Sequence, residues 1–207
     1  MDVLEKKFGD VPVLLIAESL QRPLPAVLWY HGLTASKDAN RKELEQIAHA
    51  GFLAVGVDAV GHGARYDSRD RPFRDLVHES VGEIPALIDA LVASGHADER
   101  RIGIAGVSFG GFILYRALNI EPRLRAAVAL VGSPPKEMKP PSAALLSITA
   151  ERDERVPPNH ARDFHQSLPA DERFRYIELP GAQHIMNGDQ WNTAMSAMLD
   201  WLSRWLL

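Results

Sequence analysis

Residues 106–110 read G-V-S-F-G and place one serine, Ser108, where it can act as a nucleophile. The segment 101–105 before them predicts a short buried strand, and residues 111–118 after them predict a helix. A G-x-S-x-G sequence between a strand and a helix is typical of a nucleophile elbow, a turn so tight that its two glycine positions need the absence of a side chain. The serine is then held in a strained conformation with its hydroxyl above the sheet edge. We therefore predict that Ser108 is a catalytic nucleophile.

A serine nucleophile needs a base to take its proton, and the base needs a carboxylate to orient it. His184 is the best placed of the eight histidines, because it lies between the last predicted strand and the last predicted helix. Asp153, which follows the strand ending at residue 149, is the predicted acid, and the neighbouring Glu151 and Glu154 stay open as alternatives. The order Ser108, Asp153, His184 leaves intervals that allow all three residues to reach the same sheet edge.

The negative charge that develops on a substrate carbonyl oxygen needs preorganised N–H donors. One predicted donor is the amide of Phe109, the residue after the nucleophile. The other is predicted to be the amide of Leu33, in the H-G-L-T loop after an early strand. His31 in that loop is expected to form hydrogen bonds within it, and it is also one of three candidate substrate-pocket residues, with Tyr66 and Val156.

The composition excludes several classes of function. The 207 residues are 46% hydrophobic and 24% charged, as expected for one globular domain spanning residues 1–207. A net charge of −4 gives no reason to expect nucleic acid as a partner. The absence of cysteine excludes disulfides, thiolate metal sites and a cysteine nucleophile. The early apolar run 11–17 is too short for a membrane span and lacks the flanks of a signal peptide, so a cytoplasmic location is expected.

Predicted strands and helices alternate along the chain, which indicates an α/β fold with a mainly parallel sheet and helices on both faces. In such sheets reactive residues gather at the carboxyl ends of the strands. Pro85 is expected to bend or interrupt a long helix. The predicted strands are 11–18, 25–30, 52–58, 101–107, 124–131, 144–149 and 174–179, and the predicted helices are 36–50, 72–94, 109–120, 157–168 and 191–206.

Two further segments complete a resemblance that covers nearly the whole chain. Residues 58–63 read D-A-V-G-H-G and residues 150–157 read A-E-R-D-E-R-V-P. With the elbow and the H-G loop, they make the chain resemble the α/β-hydrolase superfamily, with Ala150 in place of the usual glycine of G-x-x-D-x-x-V-P. The resemblance implies a sheet of about eight strands, Asp153 as the acid, and a loop-holding role for Asp58 and His62.

Within that superfamily the chain looks most like small bacterial serine esterases related to the dienelactone-hydrolase and prolyl-oligopeptidase-like branch. Dienelactone hydrolases usually carry a cysteine nucleophile, which this chain lacks. The link 134–141 is too short and proline-rich for a helical lid, so an open site is expected. Arg65, Arg69 and Arg71 in the loop 65–72 either meet an acidic substrate or, with Asp67 and Asp70 between them, form a solvated loop.

The resemblance implies a serine carboxylesterase that cleaves small or short-chain acyl esters through an acyl-enzyme, with no cofactor and no metal. A thioesterase, an amidase and a small peptidase would use the same three residues and stay open as alternatives. A non-catalytic small-molecule-binding protein on the same scaffold is the alternative from a different class. The expected partner is a small-molecule ester, and the sequence leaves the oligomeric state, monomer or homodimer, open.

Overall fold

The computed structural model describes all 207 residues as one domain built on a single sheet. The chain forms eight strands, five α-helices and a 3-10 turn at Gly63–Arg65. The strands are β1 (Asp2–Phe8), β2 (Val11–Ala17), β3 (Leu24–Tyr30), β4 (Leu53–Val57), β5 (Ala97–Val107), β6 (Leu124–Leu130), β7 (Ala144–Ala150) and β8 (Phe174–Leu179). The helices are α1 (Arg41–His49), α2 (Phe73–Ala93), α3 (Phe109–Ala117), α4 (Asn159–Ser167) and α5 (Gly188–Leu206).

The strand order is β1-β2-β4-β3-β5-β6-β7-β8, and the expectation of a mainly parallel eight-stranded sheet is confirmed. β1 pairs with β2, and β2 with β4, in antiparallel fashion, whereas β3 to β8 are parallel to their neighbours. Successive residues of a strand face opposite sides, so Val27 and Trp29 of β3 lie in one apolar cluster and Leu28 in the other. α2 and α3 cover the face of Leu28, and α1 and α5 cover the opposite face.

Most predicted elements appear within a few residues of their expected bounds, with three differences. β1 was not predicted, because its exposed D-V-L-E-K-K-F sequence lacks the apolar character of the other strands. α1 begins at Arg41, since residues 36–40 form tight turns while the Lys37 amide donates to Asp58. Pro85 does not interrupt α2, which runs through it as one helix.

The parallel strands bring the ends of β3, β5, β7 and β8 to the same edge of the sheet, and this edge carries every predicted catalytic residue. The connection between β6 and β7, residues 131–143, contains no helix, in agreement with the expected absence of a lid. None of the helices combines the length and apolar character needed to cross a bilayer.

Candidate active site

The turn that carries Ser108 is as tight as its sequence predicted. A Cβ added to Gly106 would lie 2.4 Å from the backbone of Gly110, and one added to Gly110 would lie 2.0 Å from the carbonyl oxygen of Tyr30. No side chain fits at either glycine, because real Cβ contacts are never that short. Ser108 itself has φ 52° and ψ −109°, a conformation that residues with a side chain rarely adopt. Ser108 is half-buried and immediately precedes α3.

Ser108, His184 and Asp153 form one chain of hydrogen bonds across three loops. The Ser108 Oγ lies 2.9 Å from His184 Nε2, and His184 Nδ1 lies 2.7 Å from Asp153 Oδ2. An ionised carboxylate only accepts hydrogen bonds, so Nδ1 carries the ring proton and Nε2 is left to accept the serine proton. This is the tautomer that a general base requires.

Asp153 is held in place by more than the histidine. Its side chain is fully buried, and its Oδ1 accepts hydrogen bonds from the amides of Arg155 (3.0 Å) and Val156 (2.8 Å). The Arg152 amide, on the other side of Asp153, donates to the carbonyl of Ala182 at 2.8 Å. The turn bearing the acid is therefore fastened to the loop bearing His184.

Neither of the two alternative acids forms a hydrogen bond to His184. The Glu151 carboxylate accepts a hydrogen bond from the Gly181 amide at 2.6 Å and so supports the loop that leads to His184. Glu154 is exposed and makes no hydrogen bond to the histidine. Of the three neighbouring acids, only Asp153 reaches His184.

The amides of Leu33 and Phe109, the two predicted donors, have no hydrogen-bond partner within the protein, and the amides of Gly32 and Thr34 are free as well. The first amides of a helix have no partner within that helix, which explains the free N–H of Phe109 at the start of α3. The Gly110 amide donates to the carbonyl of His31 at 3.1 Å, so the loop of Leu33 is tied to the serine turn. The amides of Leu33 and Phe109 are thus free to act as the predicted donors.

Strained backbone is concentrated around these loops. The only non-glycine residues with positive φ are Thr34 (65°), Ser108 (52°) and Val131 (43°), and each follows the end of β3, β5 or β6 at the same sheet edge. Such conformations cost on the order of 1–3 kcal/mol each and persist where the surrounding structure imposes them.

Two of the three predicted pocket residues, His31 and Val156, form hydrogen bonds that hold the loops of the site. His31 is fully buried, its Nε2 accepts from the Ala59 amide at 3.3 Å, and its Nδ1 donates to the carbonyl of Gly32 at 2.8 Å. Burial lowers the pKa of His31, which keeps the ring neutral for this arrangement. Val156 lines neither cavity beside the site and contributes its amide to Asp153. Both residues therefore support the site instead of forming a pocket wall.

Asp58 and His62 hold the neighbouring loop together. The buried Asp58 carboxylate accepts from the amides of Lys37 (2.7 Å) and Ala64 (2.9 Å). His62 is 5% exposed, donates from Nδ1 to the Val60 carbonyl at 2.9 Å, and packs on the ring of Phe109 with centroids 4.7 Å apart.

A cavity of about 450 Å³ borders the Leu33 loop, and the predicted pocket residue Tyr66 lies in its wall with 75% of its surface exposed. The arginines of this region are all paired: Arg65 with Glu83 at 2.5 Å, Arg69 with Asp67 at 2.8 Å, and Arg71 with Glu79. The observed pairing favours the solvated-loop interpretation over an anion-binding role for these three residues.

A second cavity, of about 220 Å³, borders His184 itself. No sequence pattern indicates this cavity, because its wall comes from two loops whose contact depends on the sheet order. No group of histidine and acidic side chains in the structure has the arrangement of a metal site.

Comparison with known proteins places this fold. The chain matches the family described as PETase, PET hydrolase-like, over residues 21–207. YitV of Bacillus subtilis (strain 168) is 34% identical over 133 residues, which are 61% of this chain and 52% of that protein. A bis(hydroxyethyl) terephthalate hydrolase of Streptomyces coelicolor is 26% identical over 201 residues, which are 96% of this chain and 63% of the relative.

The chain thus spans about half to two thirds of the length of these curated relatives. Among solved structures, a dienelactone hydrolase from Anabaena variabilis superposes with a TM-score of 0.77, covering 100% of this chain and 98% of that chain at 21% identity. The resemblance in fold is confirmed, and the chain belongs to the PET hydrolase-like family of α/β-hydrolases.

Proposed function

We propose that this protein is a serine carboxylesterase that works through an acyl-enzyme. The observation that carries the proposal is the hydrogen-bonded chain Ser108–His184–Asp153 at the strained serine turn. A buried acid, a histidine in the correct tautomer and a strained, accessible serine are together what nucleophilic attack on a carbonyl requires.

In the first half of the reaction, the Ser108 Oγ attacks the ester carbonyl while its proton passes to His184 Nε2. The carbonyl oxygen becomes negative and accepts hydrogen bonds from the amides of Leu33 and Phe109. Asp153 stays ionised and stabilises the imidazolium. His184 then gives the proton to the leaving alkoxide oxygen as the C–O bond breaks, which releases the alcohol and leaves an acyl-serine.

In the second half, a water molecule takes the place of the alcohol. His184 Nε2 removes a proton from the water as its oxygen attacks the acyl carbonyl. The tetrahedral intermediate collapses, the proton passes to Ser108 Oγ, and the carboxylic acid leaves. His184 is thus the group that accepts and returns the proton in both halves of the reaction.

Small or short-chain acyl esters are the proposed substrates, because no lid closes over the serine to form a long acyl tunnel. A thioester or an amide would react through the same groups, so a substrate panel separates these classes. The proposed partner is a small-molecule ester, while the monomeric or dimeric state and the cytoplasmic location stay predictions from the sequence.

The first experiment is hydrolysis of p-nitrophenyl acetate, butyrate and octanoate by the wild type and by Ser108→Ala. We expect the variant to lose kcat by about 10⁴-fold or more, since the nucleophile has no substitute in the turn. Acyl-CoA and aminoacyl anilides are measured beside the esters. Equal rates in wild type and variant would remove Ser108 from the mechanism and favour the non-catalytic binding protein.

A bulkier ester is a second candidate substrate, on one specific observation. Three apolar side chains near the site remain exposed: Leu33 at 49%, Tyr66 at 75% and Ile185 at 74%. Such side chains can contact the part of a large aromatic ester that stays outside the catalytic centre. Bis(hydroxyethyl) terephthalate, named for one relative, tests this, with Ser108→Ala as the blank. Cleavage of p-nitrophenyl butyrate without cleavage of this diester would restrict the enzyme to small substrates.

A further inference from the structure

The cavity beside His184 differs in charge from the cavity beside Leu33. Its wall consists of Arg152, Glu154, Arg155, Gln183, His184 and Ile185. The side chains of Arg152 and Arg155 form no ion pair and no hydrogen bond, although both are exposed at the catalytic edge of the sheet. Arg69 and Arg71, in the wall of the other cavity, are each neutralised by a carboxylate.

The two free arginines start from fixed backbone positions. Arg155 donates its amide to Asp153 Oδ1 at 3.0 Å, and Arg152 donates its amide to the Ala182 carbonyl at 2.8 Å. They therefore flank Asp153 on a turn that the active site itself holds in place. Only the side chains need to be ordered when a ligand binds, which limits the entropic cost of binding.

The cavity wall itself carries an excess of positive charge. Glu154 is the one acidic residue in the wall, against two guanidinium groups. The Asp153 carboxylate is fully buried and is occupied by His184 and two backbone amides. A guanidinium presents a planar set of N–H donors that matches the two oxygens of a carboxylate.

We propose that Arg152 and Arg155 form a subsite for a carboxylate carried by the alcohol part of the ester. The proposal rests on the proposed esterase function. His184 Nε2 has to protonate the leaving oxygen, so the leaving group lies against His184 and next to this cavity. The acyl oxygen lies at the amides of Leu33 and Phe109. The favoured substrates are esters of hydroxy acids, and one product is an alcohol or phenol that bears a carboxylate.

Two acetyl esters that differ in one charge test this assignment. In 4-acetoxybenzoate the leaving phenol carries a carboxylate, and in 4-acetoxybenzamide it carries a neutral amide of nearly the same shape. Each kcat/KM is divided by the rate constant for hydroxide hydrolysis of the same ester to remove intrinsic reactivity. We expect the wild type to prefer the anion by about tenfold at low salt, and the preference to shrink as salt rises.

The variants separate the subsite from general electrostatics. The double variant Arg152→Gln/Arg155→Gln should lose most of the tenfold preference, whereas Arg152→Lys/Arg155→Lys, which keeps both charges, should retain part of it. Arg100→Gln is the matched control, because Arg100 is an exposed arginine near the amino-terminal end of β5, away from the catalytic edge. Its preference should equal that of the wild type.

Each result decides the question. Cleavage of 4-acetoxybenzamide with an anion preference that is the same in the wild type and the Gln double variant would overturn the subsite and leave the esterase function intact. An equal loss in Arg100→Gln would replace the subsite by a long-range field. Preferential cleavage of mono(4-nitrophenyl) succinate, whose carboxylate is on the acyl side, over 4-acetoxybenzoate would refute the assignment to the leaving group. Failure of the wild type to cleave any of the esters would overturn the function and the subsite together.

Discussion

The molecule contains three hydrogen-bonded serine–histidine pairs, and of the two shortest only one has the surroundings of a nucleophile. Ser108 Oγ lies 2.9 Å from His184 Nε2, and Ser147 Oγ lies 2.8 Å from His165 Nε2. Ser108 is half-buried in a strained turn at the sheet edge, whereas Ser147 has no exposed surface in the middle of β7. Ser147 is also bonded to the hydroxyl of Tyr115 at 2.5 Å. A short distance between serine and histidine therefore does not define a catalytic pair.

The second difference concerns the histidines. His184 donates to a buried carboxylate, which stabilises the ring when it takes a proton. His165 has no carboxylate partner, and burial lowers its pKa from 6.5 to about 4. A neutral ring suits the chain Tyr115–Ser147–His165, in which the unprotonated Nε2 accepts the serine hydrogen. The first pair is arranged to move a proton, and the second to connect α3, β7 and α4.

The largest effect that sharpens this comparison comes from changing Asp153, the carboxylate that accepts a hydrogen bond from His184. Asp153→Asn should lower kcat for p-nitrophenyl butyrate by about 10³–10⁴-fold, because an amide can hold the histidine in the wrong tautomer. Thermal unfolding monitored by circular dichroism checks that the variant folds. A loss of less than tenfold would show that Glu151 or Glu154 can take over the role of Asp153.

Removing the serine of the second pair should affect stability and leave catalysis nearly intact. In Ser147→Ala the Tyr115 hydroxyl and the His165 ring lose a buried partner, which should lower the free energy of unfolding by about 2–3 kcal/mol. Urea unfolding measures this, and kcat should stay within about twofold of the wild type at 25 °C. Ser196→Ala, at an exposed position of α5, should change stability by no more than about 0.5 kcal/mol. A large loss of kcat in Ser147→Ala would make the two pairs functionally coupled.

The smallest expected effect is a change in the pH dependence of stability. The pKa of His165 is about 4 in the folded chain and 6.5 ordinarily, so between these values the unfolded chain binds more protons. Its contribution is fully present above pH 6.5 and is lost as the pH falls toward 4. His165→Gln should remove about 2 kcal/mol of the stability difference between pH 7 and pH 4.5. If urea unfolding gave both proteins the same change in unfolding free energy between pH 7 and pH 4.5, the burial of a neutral ring would be contradicted.

The sequence predicted the first pair and missed the second for a physical reason. The elbow is local, since its glycines and its serine lie within five residues, and the acid and base follow strands whose parallel order brings them to one edge. Ser147 is a small polar residue inside an apolar run. Its partners, Tyr115 and His165, come from two helices, and no local sequence pattern predicts how those helices pack against β7.

In other parts of the site and fold, too, local sequence patterns do not determine which side chains meet. The sequence favoured Asp153 but left its glutamate neighbours open, because the outcome depends on which side chain points into the protein. β1 escaped prediction because an exposed edge strand has little apolar periodicity.

The approach of Gly110 to Tyr30 has a consequence for the kinetics of turnover. Since the helix start touches β3 and is hydrogen-bonded to the carbonyl of His31, the loops of Leu33 and Phe109 form one rigid unit before any substrate arrives. Binding then orders no loop, and little conformational entropy is lost when the tetrahedral intermediate forms. Without a closing step to wait for, turnover should be insensitive to solvent viscosity and be limited by bond making and breaking.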